Sequence, residues 1–178
     1  MAPSGGIGDL VIRQYKPADQ AQIRALHDRT APNGGPATTP QRWPPDLDRI
    51  RQNYLAFWVA VERDESGEQT VGMAGVERAG DDVPEPVLRG RSDVARLKRM
   101  RVAPERQRRG IGLRLTETAI AWAREHAFHT LLLETTTEQT AAIALYQRAG
   151  FTEVGRSMLG PFALVWFERP LAGANRSQ

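Results

Sequence analysis

The chain is predicted to fold as an α/β domain on a mixed sheet, and three observations carry that expectation. Several short segments alternate apolar and polar residues with period two, as half-buried strands require. Between them lie segments whose apolar residues recur every three or four positions, as on one face of a helix. One such helix, starting near Ile111, opens directly from a strand through a pair of glycines. The element order reads βααβββαβαββ. A chain of 178 residues is long enough for one proper core, so a single domain is expected over 10–170, between a flexible lead, 1–9, and a tail, 171–178.

Leu10 to Gln14 alternates as the first strand, and Pro17-Ala18-Asp19 offers a start for a helix over Ala21 to Arg29. Residues 30–46 hold five prolines and two adjacent glycines and read as a loop. Leu47 to Tyr54 can form a short helix. Phe57-Val59-Val61 and Val71-Met73-Gly75 are alternating sets separated by a polar turn, which reads as a hairpin. Gly80 to Asp93 is a second polar, proline-containing loop, whose Asp81, Asp82 and Glu85 could attract a cationic amine but read better as solvated.

The next strand carries a phase break. Ala95 and Leu97 are two apart, as are Met100 and Val102, but three positions separate Leu97 from Met100. Strict alternation cannot place all four on one face, and a β-bulge near Lys98-Arg99 restores them. Ile111, Leu115, Ala119 and Trp122 then form one face of a helix ending near His126. Thr130 to Thr135 is almost wholly apolar, as for a strand buried on both faces beside a parallel neighbour. Ala142, Leu145, Tyr146 and Ala149 make the inner stripe of the next helix, and Gly150 suits its C-terminal cap. Phe151 to Val154 and Phe162 to Phe167 are the last strands.

The most informative stretch runs from Leu97 to Leu115. A strand stops at Ala103-Pro104, passes through Gln107-Arg108-Arg109-Gly110-Ile111-Gly112 and enters a helix. Glycines let backbone N–H groups close on a phosphate, and the helix N-terminus behind them is partly positive. The spacing Gln-x-x-Gly-x-Gly is neither a Walker loop nor Gly-x-Gly-x-x-Gly. It suits a pyrophosphate-bearing cofactor that is not held through Mg²⁺ as a nucleoside triphosphate.

This stretch resembles motif A of the GCN5-related N-acetyltransferase (GNAT) superfamily. A second segment resembles motif B: Leu131-Leu132-Leu133-Glu134-Thr135, then Gln139, then Ala142-Ile143-Ala144-Leu145-Tyr146-Gln147-Arg148-Ala149-Gly150-Phe151. The resemblance is good over about 94–155 and elsewhere extends only to element order. It implies a mixed, mainly antiparallel sheet with a splayed parallel strand pair, flanked by helices. It also implies acetyl-CoA as co-substrate, with the pantetheine arm lying in the splay. Backbone groups around Met100, Arg101 and Val102 would bond the pantetheine amides and the thioester oxygen. Gln107, Arg108, Arg109, Gly110, Ile111 and Gly112 would hold the pyrophosphate, with Gln139 and Arg148 as further cofactor contacts. Tyr146, matching the Leu-Tyr of motif B, would be the general acid that protonates the leaving thiolate. Many members of the resembled family carry Glu where this chain has Arg96, which leaves Glu77 and Glu62, at strand ends, as the candidate bases. Dimers are frequent in that family, so a homodimer is compatible with the resemblance.

Composition narrows the remaining classes. Without cysteine there is no thiol nucleophile and no Cys-ligated zinc, so direct attack in a ternary complex is expected rather than an acyl-enzyme. No metal is implied by the three histidines, His27, His126 and His129. The first residues lack a signal-peptide pattern and no segment is long and apolar enough to span a membrane, so a cytoplasmic location is the default expectation. Net charge is +3, yet ten Arg or Lys residues fall between Arg89 and Arg114. Clustering around the glycine loop favours a phosphate-rich cofactor, and the absence of aromatics there weakens a nucleic-acid role. Two alternatives stay open at this point: a catalytically silent acyl-CoA-binding sensor, and a nucleic-acid-binding module using 89–114. The amine acceptor is not legible; residues 30–54, 80–93 and Ser157 to Pro161 would contact it.

Overall fold

Seven strands build one sheet in the order β1-β2-β3-β4-β5-β7-β6 in the computed structural model, which describes residues 9–30, 43–65 and 67–171. Residues 1–8 of the expected lead, 31–42 of the expected loop and 172–178 of the expected tail lie outside the described residues. The strands are β1 (Val11–Gln14), β2 (Ala56–Asp64), β3 (Gly67–Arg78), β4 (Val94–Val102), β5 (Thr130–Thr136), β6 (Thr152–Leu159) and β7 (Phe162–Pro170). The α-helices are α1 (Gln20–Arg29), α2 (Ile50–Asn53), α3 (Glu85–Leu88), α4 (Ile111–Glu125) and α5 (Thr140–Arg148). Every strand pair is antiparallel except β4–β5. The expected class, a mixed and mainly antiparallel sheet with one splayed parallel pair, is the one the chain adopts.

The splay follows from the ladder itself. β4 and β5 are in register only at Val94–Thr130, Ala95–Leu131 and Arg96–Leu132. Beyond Arg96 the strands diverge, and the β4 edge that faces β5 has no strand neighbour. On its other edge β4 stays paired to β3, with a register shift between Met73 and Gly75. Arg99 and Met100 together oppose Ala74, and Arg99 takes the left-handed φ of 57°. The phase break in the apolar pattern is thus a β-bulge, which keeps Ala95, Leu97, Met100 and Val102 all buried.

Helix α4 packs along β3 and β4 with Ile111, Leu115, Ala119 and Ala123 fully inside the main core. Two glycines set the fit of the sheet to its coverings. A Cβ on Gly75 would stand 2.6 Å from the Tyr54 ring, and one on Gly72 would stand 3.1 Å from Leu115. The segment 80–93 differs from the expected polar loop. Val83 and Val87, on and beside α3, join Val94, Leu132 and Trp166 in a second, smaller core. Two valines spaced by one helical turn were too short a signal to separate from loop sequence.

Candidate active site

The divergence of β4 from β5 leads straight to the glycine loop. A short 3-10 turn, Pro104–Arg106, follows β4, and Gln107 turns back so that its side-chain amide donates to the Val102 carbonyl at 3.4 Å. Arg108 (φ 63°) and Gly110 (φ 79°) are both left-handed, and Gly110 caps α4. The first backbone bond of the helix runs from Arg114 N–H to the Gly110 carbonyl at 3.0 Å. The successive N–H groups from Arg108 to Leu113 donate to no carbonyl among the described residues. They form a row of unengaged donors at the positive end of a 15-residue helix, the chemistry that a pyrophosphate requires. The two glycines have different reasons. Gly110 needs its backbone freedom, since a Cβ there would meet nothing within 4 Å. Gly112 needs its smallness, since a Cβ would lie 2.9 Å from Leu145 on α5.

Most of the basic stretch is neutralised by the fold. Arg91 pairs with Glu168 at 2.8 Å, Arg99 with Asp46 at 2.7 Å, Lys98 with Glu77 at 3.3 Å and Arg106 with Glu62 at 2.7 Å. Arg101 turns inward to donate to the Thr30 carbonyl, and burial, with Arg99 adding to it, pulls its guanidinium down to about 10. Arg89, Arg108, Arg109 and Arg114 keep exposed side chains, and two of them sit in the glycine loop. Arg148 is exposed in the last turn of α5, and Gln139 caps the start of that helix, 3.4 Å from the Thr135 hydroxyl.

Tyr146 projects from α5 into the core and is 2% exposed, with its ring edge-on to Phe151 at 6.0 Å. Burial, helped by the negative charge of Glu134, holds its phenol well above the usual range. It stays protonated at every physiological pH.

The two carboxylates proposed as bases lie far apart. Glu77 is the register partner of Arg96, at the apex where β4 and β5 part. Glu62 pairs across the hairpin with Gln69, eight residues along β3 from Glu77, or roughly 26 Å at strand rise. Its ion pair to Arg106 places it at the glycine-loop end of the sheet. The fold therefore brings Glu77, and not Glu62, to the apex. Burial pushes the Glu77 carboxyl up, against the opposing pull of Lys98 and Arg96.

Arg96 organises this apex. Its side chain is 5% exposed and its fork grips Glu134 through Nε at 3.0 Å and Nη2 at 2.5 Å. Nη1 reaches Asp82 at 2.5 Å and stands 3.6 Å from Glu77, while the guanidinium lies 5.1 Å over the Trp166 ring. Sequence reasoning assigned no role to Glu134 and read Asp82 as solvated. A hint was present, because a buried strand position occupied by Arg requires carboxylates around it. Among the described residues no cluster of three or more His, Asp or Glu side chains could hold a metal, and no helix is long and apolar enough to cross a membrane.

A sheet unzipped at β4–β5, running into an amide-lined loop at a helix N-terminus, is the arrangement of an acyl-CoA-binding α/β domain. The chain belongs to the acetyltransferase (GNAT) family, whose sequence model matches residues 21–151. It is similar to N-acetyltransferase 8 of Homo sapiens, at 36% identity over 126 residues, which is 68% of this chain and 49% of the relative. It is also similar to N-acetyltransferase 8B of Mus musculus, at 37% identity over 112 residues, or 60% and 44% of the two chains. The chain thus spans about half the length of the curated relatives it matches. Among solved structures, Arabidopsis thaliana NAA60 in complex with acetyl-CoA shares the fold with a TM-score of 0.74 at 18% identity, over 92% of this chain and 99% of that one. The ribosomal-protein-S18-alanine N-acetyltransferase from Escherichia coli does so with a TM-score of 0.69 at 20% identity, over 95% and 98%.

Proposed function

We propose that the chain is an acetyl-CoA-dependent N-acetyltransferase that works by direct attack in a ternary complex. The observation that carries this reading is the continuity of one surface: the unpaired β4 edge beyond Arg96, the bulge at Arg99 and the row of free amides from Arg108 to Leu113. Acetyl-CoA supplies the activated acyl group and a thiolate as leaving group. The amides of the glycine loop, with Arg108 and Arg109, would hold its pyrophosphate, and Gln139 and Arg148 would add contacts from α5. Backbone donors around Met100 to Val102 would bond the pantetheine arm and polarise the thioester oxygen.

Tyr146 would protonate the departing sulfur. Burial keeps the phenol protonated, so it can donate a hydrogen bond to the sulfur and pass its proton as the C–S bond breaks and negative charge builds there, the proton being regained from solvent after release. Glu77 would accept the proton of the acceptor amine, directly or through water. A carboxyl raised by burial is a better base for that purpose than a solvated one. The similarity to the relatives named N-acetyltransferase supports an amine as acceptor.

The test is calorimetric titration of acetyl-CoA, followed by thiol release with a panel of amines, lysine peptides and peptide N-termini. Micromolar binding, together with amine-dependent release that Glu77→Gln abolishes, is the expected result. Binding without release by any amine would replace the enzyme with an acyl-CoA sensor. Absence of binding would sink the reading and leave the exposed loop arginines to be tried against nucleic acid.

A further inference from the structure

Three carboxylates and two cations meet at the apex, and they are not held alike. Glu134 takes a two-pronged grip from Arg96, whereas Asp82 and Glu77 compete for the one remaining nitrogen, Nη1. Asp82 holds it at 2.5 Å, and Glu77 is left at 3.6 Å. The groups facing Glu77 are Arg96 and Lys98 from β4, Asp82 from the segment before α3, and Glu134 from β5 behind the guanidinium.

We propose that Asp82 is a positioning residue for acetyl transfer: by occupying Nη1 of Arg96 it keeps that cation off Glu77 and leaves Glu77 able to take the acceptor's proton. The inference rests on the reading of Glu77 as base. Its physical content is a competition over the position of one nitrogen: Nη1 carries two N–H groups, but drawn to Asp82 at 2.5 Å it stands 3.6 Å from Glu77, out of bonding range. If Asp82 were neutral, Glu77 would need to close by only about 0.8 Å to make an ordinary 2.8 Å charge-assisted bond to Arg96. Lys98 already stands 3.3 Å from Glu77, and a second, shorter bond from Arg96 would make that carboxylate a weaker base still. Asp82 is suited to the task because Val83, its neighbour, is anchored in the second core, which holds the backbone while the carboxylate itself is 62% exposed. Asp81, one residue away and exposed, makes no bond to Arg96 and carries the same charge, so it serves as a matched control.

The experiment needs no knowledge of the acceptor. Protein labelled with ¹³C at the glutamate carboxyl carbons is titrated by NMR in the presence of acetyl-CoA, with Glu77→Gln identifying the Glu77 signal. Asp82→Asn is expected to lower the Glu77 midpoint by about one unit, and Asp81→Asn to leave it in place. An unchanged or raised midpoint in Asp82→Asn, or an equal fall in Asp81→Asn, overturns the inference. With any amine found to be acetylated, the acid limb of kcat/KM should move down by the same amount in Asp82→Asn. If Glu77→Gln acetylates that amine at the wild-type rate while the NMR shift persists, it is the assignment of Glu77 as base that fails. Loss of the shift with an inactive Glu77→Gln overturns the role of Asp82 alone.

Discussion

Tyr146 illustrates what burial does to a single side chain. A phenol kept from water holds its proton firmly, so in the proposed role of Tyr146 its use would lie in being protonated when negative charge builds beside it rather than in easy ionisation. Tyr146→Phe should keep the fold and acetyl-CoA affinity yet lower kcat by on the order of 10²-fold, measured as thiol release with a saturating amine. Tyr146 was legible in the sequence because it occupies an apolar helical stripe and matches a Leu-Tyr pair. The partnership of Arg96 with Glu77, Asp82 and Glu134 was not. It joins residues up to 57 positions apart across three strands and a loop, and only strand register reveals it. Glu62 and Glu77 looked equivalent as strand-end acids, and that same register separates them by most of the length of β3.

At the scale of elements, the two glycines of the loop before α4 should respond differently to the same substitution. Gly112→Ala pushes a methyl group against the end of the Leu145 side chain, which must turn away, while Ala gains about 1 kcal/mol of helix propensity in α4, so urea unfolding should show a net change within about 1 kcal/mol. Gly110→Ala creates no clash, only the strain of a left-handed φ, about 1–2 kcal/mol, and Gly110→Asn should recover part of that. Both glycines were recognisable as a motif, but their separate reasons depend on where α5 packs. The bulge of β4 was readable because it left a mark in the apolar phase. The α3 segment was not, because four helical residues leave no period to detect.

The whole molecule carries a pH signature. Burial would raise the carboxyls of Asp19, Asp46 and Asp82, yet hydrogen bonds from Arg13, from Arg99 with Tyr54, and from Arg96 hold each below the ordinary carboxylate value. Each is therefore depressed in the folded state relative to the unfolded chain. Their contribution is complete above the unfolded value of about 4 and is lost as pH falls through the folded values. Urea midpoints should be flat from pH 6 to 8 and fall steadily below about pH 4. Asp19→Asn should lose stability at pH 7 but show a shallower decline in acid. The order of strands and helices was readable along the chain, whereas this charge network needed the folded chain.

The short β4–β5 ladder has a mechanical consequence. With only the pairs from Val94–Thr130 to Arg96–Leu132 joining them, the sheet is two panels hung on a narrow hinge, one of β1 to β4 and one of β5 to β7. Cutting the chain at Ala127, in the turn between α4 and β5, would leave each panel with intact ladders of its own. The second core and the Arg96–Glu134 and Arg91–Glu168 pairs also cross the seam, so two such fragments should reassociate by themselves, and more firmly with acetyl-CoA present, since a ligand at 100 times its Kd adds about 2.7 kcal/mol to whatever it bridges. The gap proposed to admit the cofactor would then also be a joint whose strength the cofactor sets, and a split pair of fragments would report its presence by coming together more firmly.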